Sequence, residues 1–342
     1  MTRQRLQEIL DGFERLSILV IGDFFLDEYL ITDPALTEIS LETGLEAHQV
    51  IGRRCSPGAA GTVTNNLRAL GVGCIHALSV IGEDGNGYDL KKKLDETGVN
   101  TSALIETPDY PTPTYTKPMV REASGEEREL NRLDIKKRHP MSADLEDRII
   151  ESLRDLMPRL DGVIVGDQVQ EHNYGVVTDR VRDTLADLAE ANPGTMVLID
   201  SRSRIGAYRN VVLKPNRHEA VTAIHPEYEG PVDNAVVESC GRTLFAQTRQ
   251  PVYITLSQEG MMLITESGIE HIPAVRVTGT IDPVGAGDST SAGITAGRCA
   301  GATWSEAALI GNLAASVTVQ QLGTTGTATR EQVAESINLI NG

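Results

Sequence analysis

Cysteine is scarce in this 342-residue chain: Cys55, Cys74, Cys240 and Cys299 stand far apart and form no CxxC pair. The seven histidines are scattered as well. That pattern argues against a disulfide framework and a zinc site, and a reducing, cytoplasmic setting fits. Basic residues are outnumbered, 31 Lys and Arg against 48 Asp and Glu, for a net charge of -17. That balance argues against non-specific nucleic-acid binding, which needs basic surface. No apolar run approaches the roughly 20 residues of a membrane span. The opening segment "MTRQRLQEILDGFERL" lacks the apolar core of a signal peptide. It sets Leu6, Ile9, Leu10 and Phe13 on one helical face, the pattern of a helix packed on a domain. Internal repeats, low-complexity tracts and linkers are absent too, so residues 1–342 read as a single domain.

Two nucleotide signatures are also missing. The first strand is followed by "GDFFLD" and not by GxGxxG, which argues against a nicotinamide-dependent oxidoreductase. No GxxxxGK[ST] occurs, so the chain is not a P-loop NTPase.

What the chain does have is an α/β rhythm. "SILVIGD" (17–23) is a short apolar run of the kind that forms a buried strand. From about residue 142, helical periods alternate with the strands "GVIVGD" (162–167), "TMVLIDS" (195–201), "NVVLKPN" (210–216) and "VYITLS" (252–257). That alternation predicts a mostly parallel central sheet flanked by helices. "MMLITE" and "GIEHIPA" predict an antiparallel edge, and two helices, about 286–300 and 305–321, close the chain. Residues 28–56 and 108–134 read as inserted strands that pair into one small β-sheet, a lid. Ligands of open parallel sheets sit beyond the carboxyl ends of the strands. Asp23, Asp27, Asp167, Asp200, Asn216 and Ser257 all follow apolar strands and are expected to line one crevice.

Chemistry concentrates in "DPVGAGDSTSAG" (282–293). Gly285 and Gly287 allow unusual dihedrals and close approach to a ligand. The small residues that follow start a helix, whose first N–H groups are unpaired and partly positive. That is a site for phosphate, or for charge on a phosphoryl group in flight. Asp288 falls in the first turn. The helix dipole should keep it ionised, a weak base of the kind phosphoryl transfer can use. An aspartate there is also common as a simple helix-start residue. Asn216 and Glu219 in "KPNRHEA" likewise have the spacing of a capping box.

The whole string Asp282-Pro-Val-Gly-Ala-Gly-Asp288 resembles the signature of the ribokinase-like (PfkB) carbohydrate kinases, with Pro283 in place of the usual Thr. "SPGAAGTVTNNLRALG" (56–71) resembles the family's N-terminal signature, and "VIGEDGNG" (80–87) its Val-Gly-x-Asp-x-x-Gly. "KPNRHEA" (214–220) resembles its Asn-x-x-Glu motif, and "TLSQEGMML" (255–263) its nucleotide-side Thr-x-Gly-x-x-Gly, with Ser257 for the first Gly. The resemblance implies a three-layer ribokinase-like fold with a β lid and an ATP-dependent sugar kinase. It implies Asp288 as the base, with Gly285, Ala286 and Gly287 as the anion hole. Asn216 and Glu219 would act on Mg²⁺ through water. Thr255, Ser257, Gly260 and Asn312 would lie on the nucleotide side, with ATP spread over 214–219, 255–260 and 305–327. Asp282 and Val284 would hold a monovalent cation, K⁺.

Within the family the chain resembles the heptose-phosphate kinases. "ILVIGDFFLDEYL", "EISLETG", "TPTYTKP" and "LNRLD" stand where those enzymes have related segments. They point to Asp27, Gly58, Ala59, Lys117 and Arg132 as substrate residues, with Glu42 and Asp134 nearby. The acceptor half also departs from that pattern. Ala59 and Thr62 replace a Gly and an Asn, Met119 replaces an Arg, and "VGDQVQEHNYG" has lost a Lys. Fewer cations weaken the case for a phosphorylated acceptor. Arg202 and Arg204 either compensate or sit in a solvated loop. The expected partners are ATP and a sugar or sugar phosphate, with no nucleic acid or membrane. A homodimer through the lid is expected from its exposed sheet edge. The alternative reading is a non-catalytic sugar or nucleotide sensor on the same fold, motivated by the altered acceptor turn.

Overall fold

The computed structural model describes residues 1–122, 124–323 and 325–339. Helix α1 (Arg3–Asp11) is started by Thr2, whose hydroxyl accepts the Arg5 N–H, and buries Leu6, Ile9 and Leu10. Phe13 is buried just beyond it, in a 3₁₀ turn. Strand β1 (Ser17–Gly22) follows. Its side chains divide between two cores: Ile18 and Val20 join one, Leu19 and Ile21 the other. A strand buried on both faces reads as a continuous apolar run, which is why "SILVIG" carries no alternation.

A single residue, Asp23, separates β1 from β2 (Phe24–Thr32). The chain then forms a small hairpin, β3 (Glu38–Ile39) and β4 (Glu46–Ala47), and returns as β5 (Val50–Ala59). Helix α2 (Ala60–Ala69), β6 (Cys74–Gly82), α3 (Gly85–Glu96) and β7 (Asn100–Thr107) rejoin the body. Strands β8 (Thr114–Arg121), β9 (Glu127–Glu129) and β10 (Leu133–Ile135) leave it again. The rest alternates: α4 (Ala143–Leu156), β11 (Gly162–Asp167), α5 (Asp179–Ala191), β12 (Met196–Ser201), β13 (Val212–Leu213), α6 (Arg217–Ile224), α7 (Asn234–Thr248) and β14 (Val252–Thr255). Strands β15 (Met261–Thr265) and β16 (Gly268–Ile272) precede α8 (Ala286–Cys299), α9 (Trp304–Thr318) and α10 (Arg330–Ser336).

The main sheet has nine strands in the order β16-β15-β14-β13-β12-β11-β1-β6-β7. Pairing is parallel from β7 through β14 and antiparallel at β15 and β16, as the sequence predicts. Helices α1, α2, α8, α9 and α10 bury one face and α4, α5 and α7 the other. Because β1 has β6 on one side and β11 on the other, the winding direction reverses there. The carboxyl ends of β1 and β11 therefore open the crevice of a doubly wound sheet.

Both strand-rich insertions pair into a second sheet, ordered β10-β8-β2-β5 with β9 on β8. Asp27 stands opposite Tyr115 and Tyr29 opposite Lys117. This sheet starts at Phe24 rather than near residue 28, and its tip, β3–β4, is a separate two-stranded piece. Two closing helices were expected from the pattern, and the structure adds a third, α10. Thr329 and Gln332 form a capping box at its start, which stabilises a helix of only seven residues.

Two of the expected crevice residues do not face a crevice. The Asp23 carboxylate is buried and accepts the backbone N–H groups of Gln168, Val169 and Val176. Asp167 is fully buried and accepts from Ser201 Oγ at 2.6 Å and Tyr208 OH at 2.9 Å, with Arg204 closing the pair. Both are consumed in fixing loops, since a buried carboxylate needs its partners satisfied. Among the described residues no helix is long and apolar enough to cross a membrane.

Candidate active site

Helix α8 begins at Gly285, whose φ of 82° lies in the left-handed region that glycine tolerates. Ala286 N–H donates to Pro283 O at 3.2 Å, so its amide is turned into the turn itself. Among the described residues the N–H groups of Gly285, Gly287 and Asp288 have no backbone acceptor. These are the free donors of the helix start. A Cβ built on Gly287 would meet only Lys214 Nζ, at 3.8 Å. The missing side chain thus leaves open space beside an ammonium group.

Lys214 was not singled out by sequence. It follows the two-residue strand β13 and is 3% exposed. Its Nζ lies 2.9 Å from Asp200 Oδ2, and Ser291 of α8 donates to the same oxygen at 3.1 Å. Burial works against the lysine's charge, but Asp200, with Glu219 and Asp288 adding to it, more than offsets that, and the Lys214 pKa stands above its ordinary value. Asp288 behaves differently from the expectation. Burial, with the Asp200 charge adding to it, pushes its carboxyl up to about 7, against the pull of Lys214 and Arg202. The dipole of a helix start contributes roughly 0.3–1 kcal/mol to an anion at an exposed site, too little to offset burial beside a second carboxylate.

The Asn216–Glu219 capping box is present. Asn216 Oδ1 accepts the Glu219 N–H at 2.9 Å and Glu219 Oε2 accepts the Asn216 N–H at 2.8 Å. Glu219 Oε1 takes no part in that box. Burial raises the Glu219 pKa, and the charges of Asp200, Lys214 and Arg202 all reach it. Structural capping and a role towards a ligand are therefore compatible here. Thr255 bridges to Asn216. Ser257 holds a φ of 54°, the backbone geometry that favours the glycine it replaces. Gly260 has a φ of 96°, and a Cβ there would stand 2.2 Å from Ile272 O, so both its backbone and its packing demand glycine. Asn312 Nδ2 donates to Pro273 O at 3.1 Å and Ile272 O at 3.3 Å, tying α9 to the end of β16. Asp282 accepts Val284 N–H at 3.0 Å and Gly323 N–H at 3.1 Å, which clamps the turn before α8 to the chain after α9.

Across the crevice, Asp27 is 7% exposed. Among the described residues its one close polar partner is Lys117, with Nζ 3.4 Å from Oδ1. Burial raises its pKa and Lys117 opposes that. A buried carboxylate with unused acceptor lone pairs suits hydroxyl groups. Gly58 is fitted to it: a Cβ at 58 would lie 2.6 Å from Asp27 Oδ2. The next residue, Ala59, turns into α2 with φ 51° and ψ -119°. Lys117 also donates to Tyr29 OH at 3.2 Å. Arg132 lies over the Tyr115 ring, 4.0 Å from its centroid, and makes a two-pronged pair with Asp134 at 2.6 and 2.9 Å. Glu42, at the β3–β4 tip, is exposed.

The two arginines of the 202–204 loop separate cleanly. Arg204 is spent on Asp167 and on the carbonyls of Val169 and Gln170. Arg202 is exposed, and its charge reaches Asp288, Glu219 and Tyr115. The site therefore has one end around Asp288, Lys214 and Asp200 beside the start of α8, a second end around Asp27 and Gly58, and an arginine whose charge reaches both.

Comparison with known proteins agrees with this architecture. A model of the pfkB family of carbohydrate kinases matches residues 180–330. The bifunctional protein HldE of Trichlorobacter lovleyi is 32% identical over 345 residues, covering 99% of this chain and 66% of that protein. HldE of Gluconobacter oxydans is 31% identical, covering 96% and 66%. The chain thus spans just under two thirds of the length of these relatives. Phosphofructokinase-2 of Escherichia coli, in complex with potassium, superposes with a TM-score of 0.70 at 18% identity, over 95% of this chain and 99% of that one. Ribokinase of Thermotoga maritima superposes with a TM-score of 0.63 at 20% identity, over 94% and 99%. The fold is ribokinase-like, and the chain belongs to the pfkB family of carbohydrate kinases.

Proposed function

We propose that the chain transfers the γ-phosphoryl group of ATP to a sugar hydroxyl, with Asp288 as the base. The observation that carries the reading is the transfer end. A carboxyl raised to about 7 shares it with free helix-start N–H groups and a buried lysine at the open space of Gly287. The hydroxyl oxygen bonds to the γ-phosphorus as the bond to the ADP oxygen breaks, and the hydroxyl proton passes to Asp288. The Gly285 and Gly287 N–H groups, with Lys214 and Arg202, take up the charge on the phosphoryl oxygens.

The donor lies along 214–219, 255–260 and 305–327, of which Thr324 is outside the described residues. Mg²⁺ fits the oxygen donors present: Glu219 keeps Oε1 for a metal-bound water, and Asn216 stands beside it. When bound, Mg²⁺ neutralises charge on the β- and γ-phosphates. Asp282 and Val284 are the positions for a potassium ion, next to the turn that starts α8. The sugar sits between Asp27, Gly58, Ala59 and Asp288, with Lys117 and Arg132 above, and the second sheet acts as a lid that excludes water. Exposed Ile39, Leu41, Leu45 and Leu133 on the inserted strands favour a second copy covering that surface. ATP as donor and four free thiols suit the cytoplasm.

ATP consumption by wild type and Asp288→Asn, across free and phosphorylated sugars, tests the reading. One or more sugars should drive turnover, and the variant should lose about 10³-fold in kcat with ATP affinity kept. Tight ligand binding without turnover on any sugar would replace the kinase by a sensor.

A further inference from the structure

The charges around the acceptor end are already matched. Lys117 is held by Asp27 at 3.4 Å and Arg132 by both oxygens of Asp134. Further out, Arg54 and Arg121 share Glu127, at 2.8 and 3.1 Å. One carboxylate is left over: Glu129 of β9 makes no ion pair among the described residues, yet its charge reaches Asp27, Lys117 and Arg132. Lys136 also reaches Asp134, at 4.0 Å; each of these cations is thus committed, and the uncommitted charge is negative. A phosphate monoester needs free, convergent donors, most often an arginine fork. Here it would have to strip Lys117 from Asp27 or Arg132 from Asp134, and settle near Glu129. Of the arginines argued for this site, Arg202 alone makes no ion pair among the described residues; it stands by Asp288 and Glu219, where the incoming phosphoryl group lands. Two phosphates on that one cation would repel each other.

We infer that the acceptor is an uncharged polyol sugar, which receives its first phosphate here. This rests on the kinase reading and specifies its substrate class. Hydroxyl groups suit the site as it stands: Asp27 has unused lone pairs, and the Tyr115 and Tyr29 rings offer apolar faces beside them. In a reaction sequence, the step before this one releases a free sugar, by hydrolysis of a glycoside or by uptake. The step after it uses a sugar monophosphate.

The test compares matched pairs, each a free sugar and its own monophosphate, including a heptose and heptose 7-phosphate. Rates are measured at saturating Mg²⁺ and ATP, with products read by ³¹P NMR. In the best pair, kcat/KM for the free sugar should exceed that of the monophosphate on the order of 100-fold. Glu129→Lys should raise the monophosphate-to-free ratio at least about tenfold, because it turns the leftover charge positive. A monophosphate that outruns its free partner in wild type, or a ratio that Glu129→Lys leaves unmoved, overturns the inference and leaves the kinase standing. Absence of turnover in every pair, with ATP bound in calorimetry, overturns both.

Discussion

Lys214 Nζ sits 2.9 Å from Asp200 Oδ2, buried, at the floor of the transfer end. The pair does two things at once. Asp200 keeps the lysine charged in a place where burial disfavours charge. The lysine in turn pulls down the Asp288 carboxyl that Asp200 pushes up. Lys214→Met should therefore cost stability, about 3–5 kcal/mol, because Asp200 is left buried without its partner. It should also move the acid limb of kcat/KM to higher pH. A denaturant melt and a pH profile check the two effects separately. Lys214→Arg keeps the charge and should restore much of the stability.

The pH dependence of the reaction follows from Asp288. In the proposed reaction the carboxylate is the active form of the base, so kcat/KM should fall about tenfold per pH unit below about 7. Stability runs the other way. A carboxyl whose folded pKa lies above its unfolded value favours folding when protonated, and that contribution is lost as pH rises through the folded pKa. Asp288→Asn should accordingly melt a few degrees above wild type at pH 8 and lose that advantage near pH 4. Melting curves across pH 4 to 8 decide it.

Gly58→Ala places a Cβ 2.6 Å from Asp27 Oδ2, and either the carboxylate or the β5 backbone must move. KM for the acceptor should rise about tenfold or more, while KM for ATP stays within about twofold, because Asn216, Glu219 and Thr255 are on other elements. Steady-state kinetics with both substrates varied separates the two.

Ala59 and Ser257 both hold positive φ, 51° and 54°, where a Cβ costs about 1–2 kcal/mol. Ala59→Gly and Ser257→Gly should each stabilise the fold by about 1 kcal/mol once the greater freedom of glycine in the unfolded chain is counted. Arg249, also left-handed at φ 58° and far from the site, serves as a comparison. Its replacement by Gly should stabilise similarly and leave kinetics untouched.

The parallel sheet was legible because strands such as Ser17–Gly22 are apolar throughout, and the segments between them keep a helical period. The two inserted stretches were legible as strands, though their tip, β3–β4, separates from the sheet. Helix α10 escaped notice because seven residues give too few turns for a period to show, although its Thr-x-x-Gln cap was in plain view. Asp23, Asp27 and Asp167 looked alike in sequence, each closing an apolar run. What tells them apart is tertiary: the 168–176 loop folds its N–H groups onto Asp23, and Arg204 onto Asp167, while among the described residues the one close polar partner of Asp27 is Lys117. Lys214 left no signal, since a lysine after two apolar residues reads as the solvated end of a strand. Asp288 was placed correctly in its helix turn. Its charge state was misjudged because burial and Asp200 are properties of the assembled site.

The one-residue joint at Asp23 has a mechanical meaning. Strand β1 passes into β2 with no loop between them, and three backbone N–H groups grip the joint's carboxylate. The second sheet is therefore a cantilever clamped at its root, not a door on a hinge. The grip lies at the root, next to Asp27 and Gly58, while the β3–β4 tip stands apart as a separate pair of strands. The β2–β5 pairing breaks register at Ile31 and Thr32, which divides an inner from an outer part of the blade. Substitutions in the outer blade should therefore leave the geometry at its base undisturbed.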